Sequence, residues 1–161
     1  MKQTLFSVLL AFALAGCAAT SGGRGGRVDE VHLFGLPVTV NMDGKPGPDG
    51  FAIRVFVTQR NQSKGSPLNN GDLEIMMFDG VLSAAEVLEQ TPLQSWKFTS
   101  RQISPNREIT SLGTGYRFAL RWDTAPKRGY ITVVARCIPP AGDPVYSSPS
   151  TIAAPVDTKK K

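Results

Sequence analysis

The segment Tyr116-Arg117-Phe118-Ala119-Leu120-Arg121-Trp122 alternates a large apolar residue with a charged or small one through its whole length. Successive side chains of a strand point to opposite faces, so this pattern makes one apolar face and one wet face, and it is out of phase with a helix. The same period of two runs through Val38 and Val40 in 37–41, Phe51, Ile53, Val55 and Val57 in 51–58, Leu73, Ile75 and Met77 in 72–78, and Trp96 and Phe98 in 94–98. It returns in 130–138, where Ile131, Val133, Ala135 and Cys137 share a face. A short edge strand is expected near 145–148, because the flanking Pro144 and Pro149 lack ladder donors and are tolerated only at an edge.

One segment argues for a helix. Ser83-Ala84-Ala85-Glu86 fits a capping box, in which the serine and the glutamate satisfy free backbone donors of the first turn. Val87 and Leu88 follow as packing residues, and Thr91-Pro92 stops the segment. Short strands separated by turn residues, with one short helix, predict an all-β chain. The expected architecture is a single antiparallel β-sandwich of the transthyretin or immunoglobulin-like, Greek-key type, with a barrel as the alternative.

The N-terminus carries a different pattern. Lys2 precedes an uncharged apolar run over residues 5–15, shorter than the roughly 20 residues that a membrane-spanning helix needs. A charged start, a short apolar middle and small residues at the end have the layout of a secretory signal. Leu14-Ala15-Gly16-Cys17 resembles the lipobox of bacterial lipoproteins at all four positions. The resemblance implies that residues 1–16 are a signal peptide cut between Gly16 and Cys17. It also implies that the Cys17 sulfur receives a diacylglycerol and that the new amino group is acylated, typically with palmitate. A single acyl chain anchors only marginally and several hold firmly, since each buried CH₂ contributes about 0.8 kcal/mol. Ala18, in place of Asp, favours the outer membrane by analogy with lipoprotein sorting.

Removing residues 1–16 leaves 145 of the 161 residues, one domain's worth. Residues 17–27 are rich in Ala, Ser and Gly and are expected to form a lipidated flexible tether reaching about 15 to 20 Å. The β-sandwich domain is expected over 28–152, and a disordered basic tail ending in Lys159, Lys160 and Lys161 over 153–161. Without Lys2, 17 basic residues face 13 acidic ones. With three of them in the tail, the domain surface is nearly balanced and gives no reason to expect a nucleic-acid groove. The two arginines of Gly22-Gly23-Arg24-Gly25-Gly26-Arg27 do not change that.

Catalytic chemistry has few candidates. The single histidine, His32, is expected at a surface or edge, and one imidazole removes most zinc sites and Ser-His-Asp arrangements. The chain carries no Gly-x-Ser-x-Gly elbow, P-loop or dinucleotide fingerprint. Glu74 alternates with Leu73 and Ile75 and is expected to face solvent. With Cys17 consumed by lipid, Cys137 has no partner for a structural disulfide and reads as a small buried hydrophobe. No catalytic residue, metal or cofactor is expected.

The polar segment Asn41-Met42-Asp43-Gly44-Lys45-Pro46-Gly47-Pro48-Asp49-Gly50 lies between two predicted strands, and its Gly and Pro residues suit consecutive tight turns. Asn41, Asp43, Lys45 and Asp49 make it a candidate binding loop, because loops at the end of a sandwich carry recognition while the sheets hold them. Oxygens of Asn41, Asp43 and Asp49 could contribute to a calcium site, although their spacing fits no EF-hand.

Asn41, then Gly44-Lys45-Pro46 with Pro48, then Ile53-Arg54-Val55-Phe56 is similar to the Asn, Gly-Arg-Pro-Ser-Pro and Val-Arg-x-Tyr pattern of the TssJ outer-membrane lipoproteins of type VI secretion. Gly47 stands where that family has Ser, and Asp49-Gly50 lengthens the loop. The resemblance implies a lipid-anchored β-sandwich without enzymatic activity that binds the periplasmic end of an inner-membrane partner.

Together these features lead to the expectation of a non-enzymatic binding or scaffold module. It would be anchored by lipid in the cell envelope, in the outer membrane, with its domain in the periplasm and an envelope protein as partner. A TssJ-like scaffold is one alternative. A carbohydrate-binding module with Trp96 or Trp122 on an open face is the other.

Overall fold

The computed structural model describes residues 27–59 and 61–155. The lipobox with Gly16 and Cys17, nearly all of the tether and residues 156–161 lie outside them. The described chain forms two antiparallel sheets. The first holds β1 (Val28–Gly35), β2 (Gly50–Gln59), β5 (Arg107–Thr110) and β6 (Gly113–Arg121) in the order β1-β2-β6-β5. The second holds β3 (Asp72–Asp79), β4 (Gln94–Thr99), β7 (Tyr130–Ile138) and β8 (Val145–Tyr146) in the order β4-β3-β7-β8, and β9 (Ser150–Ala153) also pairs with β7. The all-β sandwich expected from the alternation is the architecture observed. The central pairs, β2 with β6 and β3 with β7, join strands far apart in sequence, so the chain crosses repeatedly between sheets.

The period-two residues meet in register. Phe51, Ile53 and Val55 of β2 lie opposite Leu120, Phe118 and Tyr116 of β6, and Leu73, Ile75 and Met77 of β3 lie opposite Cys137, Ala135 and Val133 of β7. All of them are buried between the sheets, together with Trp122, Ile131 and Ile152. Complete burial of an aliphatic or aromatic side chain contributes roughly 1.5 to 3 kcal/mol, so this shared layer is the main source of stability. Cys137 is fully buried here as a free thiol, and burial pushes its pKa up to about 11.

The helix α1 (Ala84–Glu89) begins where the capping box placed it. The Ser83 side chain accepts from the Glu86 N–H, and the Glu86 carboxylate accepts from the Ser83 N–H at 2.7 Å. A second, one-turn helix, α2 (Ser100–Ile103), was not expected; Thr99 and Gln102 cap it in the same reciprocal way. Helix α1 covers the outer face of the second sheet, where Met76, Phe78 and Val134 form a smaller buried cluster with Leu82 and Val87.

Three expectations are corrected. Residues 37–41 form no continuous strand. Pro37 cannot donate a ladder bond, and the chain steps between the sheets instead: the Leu36 N–H bonds to the Ala52 carbonyl, Thr39 pairs with Ala153 of β9, and Val40 returns to Gly50. The domain boundary also shifts, because Ala153 ends β9 and Ala154 is buried, so the domain runs past 152. Glu74 does lie on the outer face of its sheet, yet it is buried rather than facing solvent. Its carboxylate lies 2.6 Å from Arg136 Nε and 2.5 Å from the same residue's terminal nitrogen. A period of two assigns the face, but the neighbours decide whether that face is wet.

Candidate functional site

The loop 41–50 is built from its own polar side chains. Asn41 Oδ1 accepts from the Gly44 N–H at 2.9 Å and Asp43 Oδ1 from the Lys45 N–H at 3.0 Å. The Asn41 amide donates to the Lys45 carbonyl. Asp49 Oδ1 accepts from the Met42 N–H at 2.6 Å, which closes the loop base. Gly44 and Gly47 take φ of 73° and 100°, the left-handed region where a side chain would be strained. The four residues read from sequence as a binding loop are thus brought together, with Lys45 reaching Asp43 at 3.6 Å.

The partner that sequence reasoning missed is Arg121, at the end of β6. Its guanidinium lies 2.8 Å from Asp43 Oδ2 and 3.1 Å from Asp49 Oδ2, the second contact an ion pair without an aligned hydrogen bond. The Lys45 backbone N–H, followed by the charges of Arg121 and Lys45, holds the Asp43 carboxyl below its usual range against the opposing effect of desolvation. Both loop carboxylates are therefore already occupied by one internal cation. A calcium ion here would have to displace Arg121. Among the described residues no group of three or more His, Cys, Asp or Glu is arranged to hold a metal.

The outer face of the first sheet is different in kind. Ala52 of β2 lies opposite Ala119 of β6, and the next row along pairs Arg54 with Arg117. Ala52 makes a low floor, walled on the β1 side by Phe34 and Leu36. Phe34, Leu36, Ala52, Arg54 and Arg117 line an open cleft of about 230 Å³, and Ala119 is the register partner of Ala52 outside that lining. Phe34 is 54% and Leu36 49% exposed, high for large apolar side chains. Phe34 leans edge-on against the buried Phe56, ring centroids 5.8 Å apart. Phe56 in turn lies over Gly115, where an added Cβ would come within 2.6 Å of its ring.

The charges around the cleft are uneven. Arg54 Nε pairs with Glu108 Oε1 at 2.6 Å. Arg117 is exposed and has no carboxylate within ion-pair distance among the described residues. Sequence reading missed this site because it started its apolar face at Val38. Carried back by the same period, the face includes Leu36 and Phe34, and that was the signal available.

The other residues of interest lie elsewhere. His32 is half-exposed on edge strand β1, 3.2 Å from Glu30. Trp122 is buried, and Trp96 is half-buried with its ring edge-on to Phe51 at 5.5 Å. That packing draws both tryptophans toward the core. Comparison with protein families, with curated proteins and with solved structures found no match to this chain.

Proposed function

We propose that this chain is a lipid-anchored protein of the cell envelope, held in the outer membrane through Cys17 with its sandwich in the periplasm, and that it acts by binding another envelope protein. The lipid anchor rests on Leu14-Ala15-Gly16-Cys17. The binding role rests on one observation: the outer face of the first sheet presents Phe34 and Leu36 to solvent beside arginines. A centre of exposed apolar side chains with an arginine rim is the composition of a recognition surface. A TssJ-like scaffold is one form of this reading, in which the partner is an inner-membrane protein.

The test is site-specific photocrosslinking of the full chain in intact cells, with the crosslinker at Leu36 and, as a control on the opposite side, at Leu88. The reading expects one envelope protein joined at Leu36 and not at Leu88, and it expects a Cys17→Ser variant to leave the membrane fraction. Capture at both positions alike, or a Cys17→Ser protein that stays membrane-bound, overturns it. Recovery of a large inner-membrane protein would select the scaffold form.

A further inference from the structure

The geometry points to a defined ligand chemistry for the cleft on the first sheet: an extended peptide segment that places an apolar side chain on the Ala52 floor and a carboxylate, two residues away, on Arg117. The inference rests on the reading of this face as the binding surface and specifies what it binds.

Four features carry it. Arg54 and Arg117 are directly opposite across β2 and β6, a placement in which like charges repel. Glu108 neutralises only the first of them, so the local field at Arg117 favours an incoming anion. The neighbouring arginine along β6, Arg121, is occupied by Asp43 and Asp49, which among the described residues leaves Arg117 free to accept a carboxylate at this floor. The wall of Phe34 and Leu36 supplies apolar contact beside it, and the cleft of about 230 Å³ has room for one or two side chains.

Spacing fixes the form of the ligand. Ala52 is level with Ala119, two residues from Arg117 on the neighbouring strand, so the Ala52 floor and the Arg117 side chain share a face and are offset about 7 Å along the strands. An extended peptide repeats its own same-face side chains at that interval. An apolar residue followed two positions later by Asp or Glu therefore reaches floor and guanidinium together, and Arg can clasp the carboxylate with two parallel bonds. An anionic membrane surface would supply charge without that interval or a side chain sized for the cleft.

The test uses the full lipidated chain in detergent and a short fluorescent peptide repeating Leu-Ser-Asp-Ser, with a Leu-Ser-Lys-Ser peptide as control, read by fluorescence anisotropy. Saturable binding of the acidic peptide alone is expected. Arg117→Glu should weaken it by about tenfold or more, as loss of a charge-assisted bond implies, and Leu88→Glu should leave it unchanged. Thermal unfolding of each variant by circular dichroism confirms that it is folded. Equal binding of the lysine peptide, or an Arg117→Glu variant that binds as well as the parent, overturns the inference. Binding to phosphatidylglycerol vesicles that is lost in Arg117→Glu, with no peptide binding, would assign the face to lipid instead. If cellular crosslinking at Leu36 stands while the peptide fails, the surface reading survives and only this ligand chemistry falls.

Discussion

The outer faces of the two sheets are made by the same strand geometry and end in opposite conditions. On the second sheet Met76, Phe78 and Val134 lie under helix α1, and Glu74 there is packed and hydrogen-bonded to Arg136, with Lys97 also within ion-pair distance. Among the described residues, no helix lies over Phe34, Leu36 and Ala52 on the first sheet, and Arg117 stands without a carboxylate. One outer face has become a second core, and the other has stayed a surface with unspent apolar and ionic capacity. Stability is expected to concentrate on the covered face and binding on the open one.

The largest expected contrast is between two phenylalanines. Phe78→Ala should cost about 3 to 5 kcal/mol, as for a buried aromatic that leaves a cavity, while Phe34→Ala should cost about 1 kcal/mol or less, mainly through its edge contact with Phe56. Urea denaturation of the two variants checks this, and equal costs would erase the distinction between the faces. Next is Glu74→Gln, which strips the half-buried Arg136 guanidinium of its counter-charge. The side chain of Arg136 is 27% exposed, so the expected loss is about 2 to 3 kcal/mol, below the range for fully buried pairs.

A smaller effect tests the cover itself. Ser83→Ala removes the N-cap of α1 and should cost about 1 kcal/mol. The Glu86 carboxyl is held low by the Ser83 backbone N–H and then its hydroxyl, so NMR titration of the variant should find it moved up.

On the open face the sign reverses. Arg117→Glu relieves a cross-strand repulsion with Arg54 and should leave the fold unchanged or more stable by up to about 1 kcal/mol. A variant that loses ligand while gaining stability would mark a residue kept for binding.

The smallest effect concerns pH. Asp43 has its folded pKa depressed, so its contribution is present at neutral pH and is lost as pH falls through that folded value, below the ordinary carboxylate range near 4. The difference in urea midpoint between the parent and Asp43→Asn should therefore exist at pH 7 and vanish in acid. A difference that persists at low pH would mean that the charge is not what holds the loop.

The period of two in Tyr116 to Trp122, the Ser83 and Glu86 cap, and the buried character of Cys137 were determined by sequence alone, because each depends on a chain's nearest neighbours along itself. Strand β1 was hidden because Val31 and Leu33 face inward while Phe34 is apolar and faces out, which blurs the alternation. The burial of Glu74, the clasp of Arg121 on Asp43 and Asp49, and the openness of Phe34 and Leu36 were decided only by the tertiary structure. In each case the deciding partner is remote: Arg136 for Glu74, Arg121 for a loop some 78 residues away, and helix α1 for which outer face is covered. A strand's period states which side chains share a face, and only the packing of distant segments settles what that face meets.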